Sequence, residues 1–141
     1  PNAEVRQKFQ LELWNTGYSL INIMGLVACQ SAYEKGQKWL DELRDYLLEN
    51  INYVDTFLKE NLPKIKLIYP EGTYLLWLDF NGANLSDDRI EELMLNEAKL
   101  WLDNGKMFGE TGKGFQRLNI AVPRRKLKYA LENLKRVFKD Y

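Results

Sequence analysis

Between Gln37 and Asn61 the chain places Leu40, Leu43, Leu47, Ile51, Val54 and Leu58 at spacings of three and four residues, its most constraining pattern. Such a stripe predicts one amphipathic helix of roughly 35 Å at 1.5 Å per residue. It is too brief for sustained coiled-coil heptads, so it reads as a core helix. Pro63 ends it, and beyond Pro63 the pattern turns to short β-rich runs between turns.

Two shorter helices are expected before this one. Ala3 to Asn15 carries Val5, Phe9 and Leu13 four residues apart, with Gly17 as a stop. Asn22 to Lys35 carries Ile23, Leu26, Val27 and Ala28, and Gly36 ends or bends it. From Leu13 to Tyr33 no residue is charged, a length that raises the question of a membrane span. Asn15, Thr16, Gly17, Ser19, Asn22, Gln30 and Ser31 interrupt it, which favours a buried interdomain or interface helix. Cys29, within that run, reads as a small buried hydrophobe. No basic start followed by a clean apolar stretch marks a signal peptide.

After Pro63, Ile65 to Tyr69 forms a β-rich run and Pro70-Glu71-Gly72 a turn. Thr73 to Phe80 reads as a strand apolar enough for burial on both faces. Ser86 is placed to cap a helix whose first turn holds Asp87 and Asp88, with Ile90, Leu93, Met94 and Ala98 inward. A short strand is expected at Leu100 to Leu102, a glycine-rich loop from Gly105 to Gly114, and a strand from Phe115 to Val122. Pro123 then precedes a last helix with Leu127, Leu131, Leu134 and Phe138 inward. The order implies an α+β fold: leading helices, one of them long, then a small, mainly antiparallel sheet with helices on one side. The expected division is a helical segment over 1–36 and a small α+β domain over 37–141.

Composition excludes several kinds of chemistry. The chain has no histidine and one cysteine, so it offers no Ser-His-Asp or Cys-His catalysis, no His- or Cys-based zinc site and no internal disulfide. Lysine plus arginine equals aspartate plus glutamate at 20 each, so no net field draws it to nucleic acid or anionic lipid. At 45% apolar residues, its 141 residues can bury a core.

Few residues remain that could carry chemistry. Gly105-Lys106-Met107-Phe108-Gly109-Glu110-Thr111-Gly112-Lys113-Gly114 superficially suggests a phosphate loop. No glycine stands five residues before Gly112, however, and Gly114 takes the place of the required Ser or Thr. The loop reads either as a surface turn or as the edge of an active site. Arg117 lies in mid-strand, on the face opposite Leu118, Ile120 and Val122. Its planar fork suits bidentate binding of a carboxylate, although from the residues alone an ordinary exposed or ion-paired arginine is the favoured reading. The carboxylate pairs Asp41-Glu42, Asp87-Asp88 and Glu91-Glu92 read as solvated surface, as does the basic cluster Arg124-Arg125-Lys126 with Lys128.

Three stretches resemble the pyridoxal-phosphate-dependent aminotransferase class I/II family, in its cystathionine β-lyase (C–S lyase) branch. They are Ala32-Tyr33-Glu34-Lys35-Gly36-Gln37-Lys38-Trp39-Leu40, then Pro70-Glu71-Gly72-Thr73-Tyr74-Leu75-Leu76-Trp77-Leu78-Asp79, and finally Gly105 to Pro123. The last contains Met107-Phe108-Gly109 and Arg117-Leu118-Asn119-Ile120-Ala121-Val122-Pro123-Arg124. The opening, Asn2 to Phe9, is similar to the segment that follows the family's catalytic lysine.

The resemblance implies the small C-terminal domain of a fold type I enzyme acting on amino acids in the cytoplasm. There pyridoxal phosphate, held by a lysine, acts as an electron sink for a carbanion. In the C–S lyases a β-thiol then leaves, giving pyruvate, ammonia and the thiol. The family's carboxylate-binding arginine falls on Arg117, Met107 and Phe108 would edge the pocket, and Gly72 and Thr73 would set the strand's entry. The catalytic lysine, the aspartate under the pyridine nitrogen and most phosphate ligands fall on no residue here. No catalytic, cofactor-binding or metal-binding residue is therefore expected. The chain, which begins at Pro1 without a methionine, is expected to be a fragment, inactive and without cofactor by itself. Its apolar surface implies a homo-oligomer, with neither nucleic acid nor membrane as partner. The alternative is a non-catalytic structural or interaction module derived from that family. A regulatory domain that binds carboxylates through Arg117 is a third reading.

Overall fold

The structure is a computed structural model describing residues 2–18 and 22–141; Pro1 and Ser19, named above, lie outside the described residues. The chain divides into two units, Pro1–Asp41 and Glu42–Tyr141.

The first unit carries helix α1, Ala3–Asn15, and helix α2, Ile23–Lys35. Each begins at an asparagine whose side chain accepts a backbone N–H two residues on, Asn2 from Glu4 and Asn22 from Met24, both at 2.9 Å. These bonds satisfy donors that a helix start leaves open. Neither helix buries a residue, and Phe9, Trp14, Ile23 and Val27 are exposed. Cys29 is likewise exposed, against the expectation of burial, because α2 buries none of its residues. No helix among the described residues is long and apolar enough to cross a membrane.

Helix α3, Gln37–Asn61, has the predicted bounds and enters the second unit after its first turn. Its stripe buries Ile51, Val54, Phe57 and Leu58, and Leu47 packs at the edge of the core. Four strands follow: β1, Lys66–Ile68; β2, Leu75–Asp79; β3, Asp103–Asn104; and β4, Phe115–Asn119. They form an antiparallel sheet in the order β1-β2-β4-β3. Helix α4, Asp87–Asn96, lies between β2 and β3 in sequence and is capped by Ser86, whose Oγ accepts the Arg89 N–H at 3.3 Å. Helix α5, Arg124–Phe138, closes the chain.

Period-two alternation puts Leu76 and Leu78 of β2, with Leu118 of β4 and Ile120 just beyond it, into one core. Ile90, Leu93 and Met94 of α4 and Leu127, Leu131, Leu134 and Phe138 of α5 complete it. At roughly 25 cal/mol per Å² of apolar surface removed from water, this cluster is the main stabilising term of the second unit.

Three predicted strands differ. β4 ends at Asn119, where its register pairing with β2 stops, rather than at Val122. The short one lies at Asp103–Asn104 rather than at Leu100 to Leu102, because pairing with Arg117 and Gln116 selects those residues. β2 is buried on one face only: Leu76 and Leu78 are buried, whereas Leu75, Trp77 and Asp79 on the other face are half-buried.

Candidate carboxylate-binding site

Antiparallel register sets one row of residues across the sheet. Ile68 pairs with Trp77, Trp77 with Arg117, and Arg117 with Asp103. Directly opposed residues in adjacent strands point to the same face. Arg117 therefore stands between an indole and a carboxylate, on the face turned away from Leu76, Leu78 and Leu118.

The row is bonded as well as aligned. Asp103 Oδ2 accepts from Arg117 Nε at 3.0 Å and from Nη2 at 2.7 Å. One carboxylate oxygen thus holds one edge of the guanidinium. Above it, the Phe108 ring lies 4.7 Å from the guanidinium carbon. Phe108 meets Trp77 edge-on at 5.4 Å between centroids, and Trp77 stacks on Phe115 at 5.5 Å. These are distances at which aromatic pairs and cation–π contacts stabilise. Arg117 is half-buried, with 31% of its side chain exposed, so its remaining N–H groups can reach a ligand.

Phe108 is carried by the glycine-rich segment, which is not a plain loop. Gly105–Phe108 and Glu110–Gly112 are two short 3₁₀ turns. Gly105 and Gly112 face each other so closely that a Cβ on either would stand 2.0 Å from the other's carbonyl oxygen. The carboxylates at the start of α4 fasten these turns. Asp87 Oδ1 accepts the Gly114 N–H, Lys106 Nζ donates to Asp88 at 2.8 Å, and Asn104 Nδ2 donates to Glu91 at 2.9 Å. Hydrogen bonding by Lys106, then its charge, holds the Asp88 carboxyl below the ordinary carboxylate range, while the Asp88 hydrogen bond raises the Lys106 ammonium. Asp87, Asp88 and Glu91 are thus not idle surface charge, as their sequence pattern implied; they hold the segment that bears Phe108.

Arg124 also departs from its surface reading. Its Nε donates to Asn50 Oδ1 at 2.6 Å, and its guanidinium carbon lies 5.2 Å from the Tyr53 ring centre. Asn50, fully buried on α3, donates through Nδ2 to the Ile120 carbonyl at 3.0 Å, and Tyr46 Oη donates to the Val122 carbonyl at 3.0 Å. These bonds moor the chain just after the Arg117 strand.

The structure brings Phe108 onto Arg117, while Met107 is largely exposed beside it in sequence. Gly72 and Thr73 lie at the entry to β2, with Thr73 in the left-handed region at φ 69°. Thr73 lies two residues before β2 begins and four residues before Trp77 of the Arg117 row. Sequence reasoning missed Trp77 and Asp103 as neighbours of Arg117. Register alone reveals them, and two-residue β3 gives no pattern to read.

A pyridoxal-phosphate site is built around a lysine that holds the cofactor as a Schiff base. A Schiff-base lysine is desolvated or set beside another cation to depress its pKa. Here no described lysine is buried, and Lys8, Lys59, Lys106 and Lys113 each pair with a carboxylate. Among the described residues no cluster of three His, Cys, Asp or Glu could hold a metal ion.

Known proteins supply the context. No family model matches the chain. It is 38% identical to cystathionine β-lyase PatB of Bacillus subtilis over 135 residues, 96% of this chain and 35% of PatB. It is 35% identical to protein MalY of Escherichia coli, covering 84% of this chain and 30% of MalY. The solved structure of cystalysin from Treponema denticola, which contains pyridoxal 5′-phosphate, superposes with a TM-score of 0.92 at 34% identity over 99% of this chain and 35% of cystalysin. A pyridoxal-phosphate-bound putative aminotransferase from Clostridium difficile superposes with a TM-score of 0.94 at 36% identity, and the curated aminotransferases of Pyrococcus horikoshii and Thermococcus litoralis match at 26% identity. The chain spans about a third of the length of the curated relatives it matches.

Proposed function

We propose that this chain, a homologue of the C-terminal portion of pyridoxal-phosphate-dependent cystathionine β-lyases and aminotransferases, supplies the substrate-carboxylate site of such an enzyme. The observation that carries the reading is Arg117, half-buried on the open face of the sheet, with Phe108 over it and its Nη1 group unused by Asp103. A guanidinium binds a carboxylate through two parallel N–H···O bonds, and the rings beside it exclude water from one side of that pair. Holding the carboxylate fixes the orientation of the amino-acid α-carbon and its C–H bond, a positioning contribution to rate. Met107 and Phe108 would edge the pocket, and Gly72 and Thr73 would set how β2 enters it.

The chain by itself neither holds pyridoxal phosphate as an imine nor catalyses. That no described lysine is buried, and that Lys8, Lys59, Lys106 and Lys113 pair with carboxylates, supports this, and no step of the chemistry is assigned to them. The apolar side chains on α1 and α2 support an assembly, a homo-oligomer or a larger domain, that covers them.

The test is kinetic, in the enzyme that carries this chain, with pyruvate release from L-cystathionine as the assay. Arg117→Met lowers kcat/KM by about a hundredfold or more, the range for a lost charge-assisted pair. An unchanged kcat/KM removes Arg117 from the site. A visible imine band that survives dialysis of the isolated chain, and is lost on replacing one of its lysines, overturns the claim of cofactor independence.

A further inference from the structure

We propose that Asp103 is a positioning residue for Arg117: it occupies the Nε edge of the guanidinium, so that a ligand carboxylate is received end-on by Nη1 and Nη2. The proposal rests on the carboxylate-site reading of Arg117 given above.

Three observations carry it. The pair is built into the sheet, because Asp103 and Arg117 are register partners in β3 and β4 rather than two surface side chains that happen to meet. The contact is one-sided: Asp103 Oδ2 takes both Nε, at 3.0 Å, and one proton of Nη2, at 2.7 Å. Five N–H groups in a planar fork leave three after that contact: one each on Nη1 and Nη2 faces the end of the fork, and the second Nη1 proton faces the side away from Asp103. Phe108 lies over the same guanidinium, which limits rotation of its plane. Among the described residues Asp103 is the charged partner of Arg117, and with Phe108 it sets the orientation of the fork.

Asp103 has a second effect, opposite in sign to its first. Its negative charge neutralises Arg117, so an incoming anion meets a neutral pair instead of a bare cation. Orientation is gained at the expense of attraction. Both side chains are partly solvated, at 31% and 42% exposed, so the repulsion is screened and changes affinity about threefold rather than by orders of magnitude.

The experiment is nitrogen-resolved NMR of the arginine side chains in the full 141-residue chain, titrated with acetate against chloride at matched ionic strength. The Arg117 resonances are assigned by their loss in Arg117→Lys. In the unsubstituted chain, acetate shifts the Nη signals of Arg117 and leaves Nε in place. In Asp103→Ala the freed Nε also responds. In Asp103→Asn, whose amide oxygen still accepts from Nε, acetate binds about threefold more tightly and Nε again stays in place. An Nε signal that moves with acetate in the unsubstituted chain as far as it does in Asp103→Ala overturns the proposal, because the ligand then displaces Asp103. An Nε that exchanges with water equally fast in the unsubstituted chain and in Asp103→Ala also overturns it, since no anchor exists. A third outcome fails differently: Nε protected by Asp103, but no Arg117 signal answering to acetate. That result sinks the carboxylate-site reading itself and takes this proposal with it.

Discussion

Replacing Asn50 with leucine tests whether the exit of the Arg117 strand is held as described. Asn50 is fully buried, donates to the Ile120 carbonyl at 3.0 Å and accepts from Arg124 Nε at 2.6 Å. Leucine has similar volume, so the packing term is small and the polar terms dominate. A buried carbonyl left without its donor costs about 1–3 kcal/mol, and a lost charge-assisted bond is of the same order. Arg124 keeps Glu49 at 3.4 Å and its place over Tyr53, which recovers part of the second term. The expected loss is therefore about 3 kcal/mol. Urea unfolding followed by aromatic circular dichroism reads it as a midpoint lowered by about 2 M, at a slope near 1.5 kcal/mol per M that does not change. Arg124→Met leaves Asn50 Oδ1 unpaired, so the double variant costs less than the sum of the singles by about 1 kcal/mol. A loss below about 1 kcal/mol for Asn50→Leu, or strict additivity of the two changes, refutes the network as a stabilising unit.

Further outcomes concern the segment that carries Phe108. Gly105→Ala drives a Cβ to 2.0 Å from the Gly112 carbonyl oxygen, and only backbone movement relieves it. A loss of about 2 kcal/mol, or roughly 10 °C in Tm, is expected, while Gly72→Ala, with nothing within 4 Å of its added Cβ, leaves Tm unchanged. The Lys106–Asp88 clamp has a defined pH window. The lowered Asp88 carboxyl stabilises the clamp above the unfolded aspartate value, about 4, and loses that contribution as pH falls through its folded value. The raised Lys106 ammonium contributes below about 10.4 and ceases to as pH rises through its own raised value. Exchange of the Lys106 backbone amide, measured by NMR, is therefore flat relative to a neighbouring helix amide across neutral pH and accelerates only at the two extremes. An additional acceleration centred between pH 5 and 9 contradicts this assignment.

The helices were legible because period and termination agree. The stripe from Leu40 to Leu58 and the stop before Pro63 define α3, and Leu127, Leu131, Leu134 and Phe138 define α5. Strand β4 was legible as far as alternation reaches, which placed Leu118 inward and Arg117 outward. What the alternation does not carry is register. Asp103 follows three residues, Leu100 to Leu102, that look more strand-like than it does, and only pairing with β4 brings it to Arg117. Charge patterning misled in the same way. Asp87, Asp88, Glu91 and Arg124 read as solvated because their partners, Gly114, Lys106, Asn104 and Asn50, lie 13 to 74 residues away in sequence. Cys29 and the apolar faces of α1 and α2 show the converse: apolar composition predicts burial but does not say that the covering surface is present in the same chain. Arg117 was found by strand position and by resemblance together. Its aromatic and acidic neighbours required three dimensions.

The most direct measurement of the central claim compares inhibition of the enzyme that carries this chain by an amino acid with inhibition by the amine that lacks only its carboxylate. If Arg117 receives the carboxylate, the unsubstituted enzyme prefers the acid by about a hundredfold, and Arg117→Met removes that preference without weakening the amine. If Arg117→Met weakens acid and amine equally, or leaves the preference intact, the carboxylate is bound elsewhere and the account of this site is wrong.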